Sequence, residues 1–191
     1  MTSIASQPRI AIIGAGLGGL ALHLTLHKRG IPATIYERDA SPAARSHLGG
    51  SLDLHWTSGQ RALRENGLED AFKAHSRPEA DATKICDATG TVLFDDAEFP
   101  DRPSNPEDAR PEIDRTVLRQ LLIDAVPPES IRWGSALTAA TPLGDGTHAL
   151  AFADGTTATC DVLVGADGAH SRVRPLVSPA RAAYKIGRAH V

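Results

Sequence analysis

Gly14, Gly16, Gly19 and Glu37 are the residues of this chain whose types and spacing point most sharply to chemistry. The glycines fit G-x-G-x-x-G, a spacing that brings backbone N–H groups up to a pyrophosphate. Gly14 permits a tight turn, Gly16 lets the phosphates approach the main chain, and Gly19 lets a helix pack closely on a strand. Glu37 follows near the offset of roughly 20 residues at which an acid meets a ribose diol. As a carboxylate it would accept two hydroxyl hydrogen bonds and repel a 2′-phosphate. The pattern therefore selects the ADP half of FAD or NAD over that of NADP. Glycines alone are a weak signal, because Gly-rich turns also occur in α/β proteins that bind nothing.

The flanking elements strengthen it. Ile10, Ile12 and Ile13 form a short β-branched run that reads as a strand buried on both faces of a parallel sheet. Residues Leu17–Lys28 then have the Leu and Ala spacing of a helix, closed by Gly30. Its positive N-terminal end faces the phosphates. Ala33–Tyr36 reads as the second strand, which delivers Glu37 at its end.

Bulk properties bound the class. A chain of 191 residues holds one domain with a substantial core, or one domain and part of another. A formal net charge of −3 and an aromatic content of 4% offer neither a basic stripe nor a stacking platform for nucleic acid. No apolar run is long enough to cross a bilayer, and the first residues lack the layout of a secretory signal. Cys86 and Cys160 are isolated, as suits a reducing cytoplasm. The expectation is a cytoplasmic monomer with no membrane or nucleic-acid partner. His23 and His27 share a helix face four residues apart, but no third ligand is near, so no metal site is expected.

Further along, Gly49–His55 alternates apolar and polar residues and reads as a strand opened by two glycines. Ser58 is placed to cap a helix over Gly59–Asn66, closed by Gly67. Lys84–Asp87 and Thr91–Phe94 flank Ala88-Thr89-Gly90 as a hairpin. The proline-rich stretch Phe99–Pro111 reads as an irregular loop. Asp114 or Arg115 opens a helix with Val117, Leu118, Leu121, Leu122 and Ala125 on one face, stopped by Pro127-Pro128. Ile131–Trp133, Ala136–Thr141, His148–Phe152 and Thr156–Cys160 read as successive short strands, with turns at Gly144-Asp145-Gly146 and Asp154-Gly155 making an antiparallel meander. Asp161–Ala166 reads as another buried strand running into Asp167–Arg174.

Together these pieces resemble the class A flavoprotein aromatic hydroxylases, typified by p-hydroxybenzoate hydroxylase. The resemblance spans residues from about 9 to 178. It is carried by Gly14–Gly19 with Glu37-Arg38, by Pro111-Glu112-Ile113 before Arg115-x-x-Leu118, and by Gly165–Arg174, which is similar to the family's D-G fingerprint. Gly49–His55 and Ser58-Gly59-Gln60 are most similar to the tetracycline-inactivating monooxygenases of that family. The fold implied is α/β, a Rossmann-like FAD/NAD(P)-binding three-layer fold with an antiparallel β-meander and part of an inserted β-rich substrate domain. The expected division is a first FAD-binding segment over residues 1–80, partial substrate-domain strands over 81–111, and a second FAD-binding segment over 112–178.

The resemblance implies that Glu37 holds the adenosine ribose with Arg38 beside the adenine. It implies that Asp53 and Arg115 contact FAD, and that Arg45 serves FAD or the incoming nicotinamide nucleotide. Asp167 and Arg172 would lie in the region shared by the FAD pyrophosphate and NAD(P)H. The implied activity is an FAD-dependent monooxygenase that uses NAD(P)H and O₂ to hydroxylate a small organic substrate, aromatic or polyketide-like, through a flavin C4a-hydroperoxide. No catalytic side chain is assigned, and no Ser/His/Asp triad or CxxC pair competes. The alternative function is a non-catalytic module that senses NAD or FAD.

Members of that family continue for roughly as many residues again, through a G-D motif and the rest of the substrate-domain sheet. The expectation is thus an N-terminal fragment, inactive by itself, whose truncated end covers residues 179–191. Residues Ile186–Val191 also match one reading frame of a common sequencing adapter, and are expected to be an artefact.

Overall fold

The structure, a computed structural model, describes residues 7–45, 49–81, 83–98, 105 and 107–180. In chain order the elements begin with β1 (Ile10–Ile13), α1 (Leu17–Lys28), β2 (Ala33–Tyr36) and β3 (Ser51–Asp53). They continue with a π-helical turn (Trp56–Gln60), α2 (Arg61–Glu65), α3 (Glu69–His75), β4 (Lys84–Cys86) and β5 (Val92–Asp95). Then come β6 (Glu112–Asp114), α4 (Arg115–Ala125), β7 (Ile131–Arg132), β8 (Leu137–Pro142), β9 (His148–Phe152), β10 (Thr157–Cys160) and β11 (Val162–Gly165). They form two compact units, Met1–Ser41 with Pro127–Val191, and Pro42–Val126.

The first unit is built on a parallel sheet of order β11-β1-β2-β7. Alternation along β1 sorts its side chains to opposite faces. Ala11 and Ile13 pack with Leu150, Phe152, Cys160 and Val173 on one face, under the antiparallel sheet β10-β9-β8. Ile12 goes to the other face, and α1 packs against β1 and β2 with Leu20, His23 and Leu24 buried. His23 sits almost wholly inside, its Nε2 3.1 Å from the Ala33 carbonyl, and burial holds its pKa below the ordinary imidazole value. His27 stacks beside it with ring centroids 6.1 Å apart.

The second unit pairs β3 with β6 and β4 with β5, both antiparallel. Around Ile113 of β6, which is fully buried, the interior contains Leu63, Phe72, Leu118 and Leu122 from the helices. Among the described residues no helix is long and apolar enough to cross a membrane.

Several expectations change. Ile131-Arg132 leaves the meander and pairs parallel with Ile35-Tyr36 of β2, so it belongs to the nucleotide-binding sheet. Its two residues are too few for any pattern to reveal which sheet takes it. The strand read at Asp161–Ala166 is the outermost of the sheet among the described residues, with Val162 43% exposed rather than buried. Ser58 does not cap a helix: it lies within the π-helical turn, which runs directly into α2. The strand read at Gly49–His55 contracts to Ser51–Asp53, the residues that find partners in β6. The strand Glu112–Asp114 and the helix Glu69–His75 are additions that local spacing did not suggest.

One ion pair closes the base of the sheet. Asp161 takes the Arg9 guanidinium at 2.8 and 3.0 Å and the Arg9 N–H at 2.7 Å. These bonds hold the Asp161 pKa down at about 2, led by the Arg9 side chain. A carboxyl depressed in the folded state stabilises above its unfolded pKa of about 3.9 and loses that contribution as pH falls toward the folded value. Asp161→Asn should therefore lower the urea midpoint at pH 7, and the gap from the parent should close between about pH 4 and pH 2. A gap that stays constant over that window would show the charge to be irrelevant.

Candidate functional site

The loop between β1 and α1 is built by three different glycine environments. Gly14 has φ of +108°, and a Cβ there would meet the Ala166 carbonyl oxygen at 2.5 Å. A Cβ on Gly19 would collide with the Gly14 carbonyl oxygen and meet Ala166 Cβ at 3.2 Å. Gly16, with extended backbone at φ −78° and ψ 175°, would meet nothing within 4 Å. The loop is thus closed underneath at Gly14 and Gly19 and open above Gly16. Helix α1 starts at Leu17 with no side-chain cap on its N-terminus. A helix begun this way directs free N–H groups and a positive partial charge outward.

Glu37 is 6% exposed and lies against this loop. Its Oε2 accepts the Ala15 N–H at 2.6 Å, and its Oε1 accepts the Asp39 N–H at 2.9 Å. The main chain around it is also pinned, by Glu37 N–H to the Arg132 carbonyl and by Ser135 N–H to the Glu37 carbonyl. A carboxylate has about four acceptor positions, so one per oxygen remains for ligand hydroxyls. Sequence spacing identified the acid but not these bonds, because Ala15 and Glu37 meet only after β1 and β2 have paired.

The other sequence-derived residues fall in two places. Asp167 follows β11 and comes close beneath Gly14: a Cβ at Gly14 would lie 3.3 Å from its Cα. Its Oδ2 accepts the Arg172 N–H at 2.6 Å, while its Oδ1 is buried with no hydrogen-bond partner. Arg38 and Arg172 are exposed in the same unit. In the second unit, Asp53 is exposed on β3, 4.0 Å from His55 Nε2. Arg115 opens α4, and its N–H donates to the Gly50 carbonyl at 2.9 Å. Gly49 lies against the same helix start, since a Cβ there would meet Arg115 Cβ at 3.3 Å. Arg45 ends a 3₁₀ turn, Pro42–Arg45, and its side chain lies outside the described residues. The end segment Ile186–Val191 also lies outside them. Among the described residues no group of three or more His, Cys, Asp or Glu is placed to hold a metal ion.

Gln60 is a structural contributor that residue spacing passed over. Its amide donates to the Leu54 carbonyl at 2.6 Å and to the Ala109 carbonyl at 2.9 Å, tying the end of the β3 segment to the stretch before β6. The only signal was its position in Ser58-Gly59-Gln60, which a local reading places on a helix.

This geometry fits the ADP half of a dinucleotide: an open phosphate face at Gly16, a bare helix end, and a buried acid at the tip of β2. The protein-family comparison agrees, with the FAD binding domain matching residues 8–189. The chain belongs to that family. Among relatives of this FAD binding domain, the monooxygenase asqM of Emericella nidulans is 36% identical over 90% of this chain and 40% of its own length. The 6-hydroxynicotinate 3-monooxygenase of Pseudomonas fluorescens is 31% identical over 98% of this chain and 48% of its own. Among solved structures, the tetracycline destructase Tet(51) superposes with a TM-score of 0.65 at 25% identity, covering 89% of this chain and 41% of that one. The FAD binding domain thus spans less than half the length of the relatives it matches, and its Rossmann-like α/β architecture is shared with the solved structure.

The glycine environments make opposite demands. Gly19→Ala should cost at least about 1–3 kcal/mol, the usual penalty of overpacking, because its Cβ meets backbone that cannot turn aside. Gly16→Ala should stay within about 0.5 kcal/mol of the parent. Chemical denaturation of the two variants side by side checks this, and equal losses would contradict the open face at Gly16.

Proposed function

We propose that this chain is the FAD-holding part of a monooxygenase that uses NAD(P)H and O₂ to hydroxylate a small organic substrate, aromatic or polyketide-like. The observation that carries the proposal is the loop that is filled beneath Gly14 and Gly19, open over Gly16 and bonded to the buried Glu37 carboxylate. Family membership and the monooxygenase relatives support it.

In this reading the N–H groups at the start of α1 and the backbone at Gly16 take the pyrophosphate. The remaining lone pairs of Glu37 take the ribose hydroxyls, and Arg38 lies by the adenine. Asp167, whose Cα lies beneath Gly14, stands in the region shared by the FAD pyrophosphate and NAD(P)H, as the resemblance implies. Asp53 and Arg115 contact FAD, Arg115 near its pyrophosphate side, and Arg45 serves FAD or the incoming nicotinamide nucleotide, as the resemblance implies. Bound FAD, reduced by NAD(P)H, supplies the activation of O₂ that no protein side chain can provide. The chain itself binds, orients and keeps a dry surface. The free cysteines, Cys86 exposed and Cys160 buried, suit a reducing cytoplasm.

FAD titration followed by flavin fluorescence tests the assignment. Glu37→Gln keeps one acceptor oxygen but removes the charge and sets an amide NH₂ against one of the two main-chain N–H groups that the carboxylate accepts. It should weaken FAD binding about tenfold or more. Gly16→Val should abolish binding while the thermal transition stays near that of the parent, because its side chain projects into the open phosphate face. Unchanged affinity in both would move the cofactor away from this loop. FAD binding without NAD(P)H-driven flavin reduction in the protein at the full length of its relatives would favour a sensing module instead.

A further inference from the structure

The face of β2 opposite the Glu37 carboxylate borders a cleft. Successive strand residues point to opposite faces, so Tyr36 turns away from the glycine loop. Its ring stacks on Phe152 of β9 with centroids 4.7 Å apart and an interplanar angle of 20°. Beside this pair lies a cleft of about 500 Å³, within the size range of small-molecule sites. Trp133, Arg132, Asp154 and Thr156 complete the walls that matter.

Their chemistry is specific. Trp133 is half-buried and brings a second broad aromatic surface. Arg132 is exposed and, among the described residues, engages no carboxylate in an ion pair, although Asp154 lines the same cleft. Asp154 spends Oδ1 on the N–H and hydroxyl of Thr156, at 2.9 and 2.7 Å. Those bonds hold its carboxyl ionised, with the pKa below the ordinary carboxylate range. Oδ2 takes no part in them and is left as a charged acceptor. The cleft therefore has aromatic walls, a forked cation on the β7 side and an anion on the β9–β10 turn.

We propose that this cleft is a binding site for a flat aromatic ring bearing a carboxylate at one end and an N–H donor at the other, the chemical class of the aminobenzoates. The ring packs between Trp133 and Tyr36, the guanidinium of Arg132 takes the carboxylate, and Asp154 accepts the N–H. The site is separate from the adenosine site, since its walls include none of the glycine loop and the Glu37 carboxylate points the other way. The inference does not depend on the FAD assignment.

Isothermal titration of 4-aminobenzoate, benzoate and aniline into the 191-residue chain tests it. The expected order of affinity is 4-aminobenzoate, then benzoate, then aniline. Arg132→Gln should weaken 4-aminobenzoate and benzoate by about fivefold or more, the loss expected for a charge-assisted contact. Asp154→Asn keeps an Oδ1 acceptor for Thr156 and should erase the advantage of 4-aminobenzoate over benzoate. Saturating ADP should leave all of these affinities unchanged. No saturable binding of 4-aminobenzoate, no effect of Arg132→Gln in a chain whose melting is unaltered, or displacement by ADP would each overturn the proposal. The last result would mean that the ring occupies the adenosine site.

Discussion

Helix α1 begins against the carbonyl of Gly14, and that contact exists only because residue 19 has no side chain. The placement of α1 over β1 rests on this close approach. It puts the helix axis low over β1, so that Leu20 and Leu24 reach the apolar face carrying Ile12 and Ile35. It also aims the helix end at the space above Gly16. A Cβ at position 19 would lift the helix by a fraction of an ångström or more, and a packed interior has little slack to absorb such a shift. Ala166, the residue after β11, crowds the same point, so the D-G segment is held against the glycine loop by the same constraint.

Burying a carboxylate at the tip of β2 opposes this packing unless its charge is met. Here, among the described residues, it is met by the N–H groups of Ala15 and Asp39. Hydrogen bonds to an ionised acceptor are shorter and stronger than neutral ones, as the 2.6 Å bond from Ala15 illustrates. Glu37 consequently stiffens the glycine loop, the segment proposed to take the pyrophosphate. A loop already held in place loses less conformational freedom when a ligand arrives, which raises affinity at no cost in contacts.

The second unit organises itself differently. Its helices bury Leu63, Phe72, Leu118 and Leu122 around Ile113, but the hairpin of β4 and β5 leaves Ile85, Val92 and Leu93 about half exposed or more. Two strands alone are marginal in water, and an apolar surface of this kind marks a place where further structure or a partner belongs. The β3–β6 pair is better supported, since Gln60, Arg115 and Gly49 fasten it to its own unit by short-range hydrogen bonds and close packing. Its exposed residue Asp53 is therefore carried on a well-fixed strand.

What the sequence determined by itself is local. The β-branched run at Ile10–Ile13, the helix Leu17–Lys28, the strand Ala33–Tyr36 and the hairpin turn at residues 87–91 are each specified by neighbours a few positions apart, and the glycine spacing marks the turn from β1 into α1. The resemblance through Gly165–Arg174 extended this to a family and an α/β architecture. Tertiary structure alone decided the rest. Whether Ile131-Arg132 joins the parallel sheet depends on an edge offered by β2, almost a hundred residues earlier. The contraction of β3 and the appearance of β6 depend on each other, because neither strand has hydrogen-bond partners until the other is in place. The bonds of Glu37 and the cleft at Tyr36, Trp133 and Phe152 arise from residues distant in the chain. Side-chain periodicity encodes which face is apolar, not which partner covers it, so such contacts exist only once the chain has closed on itself.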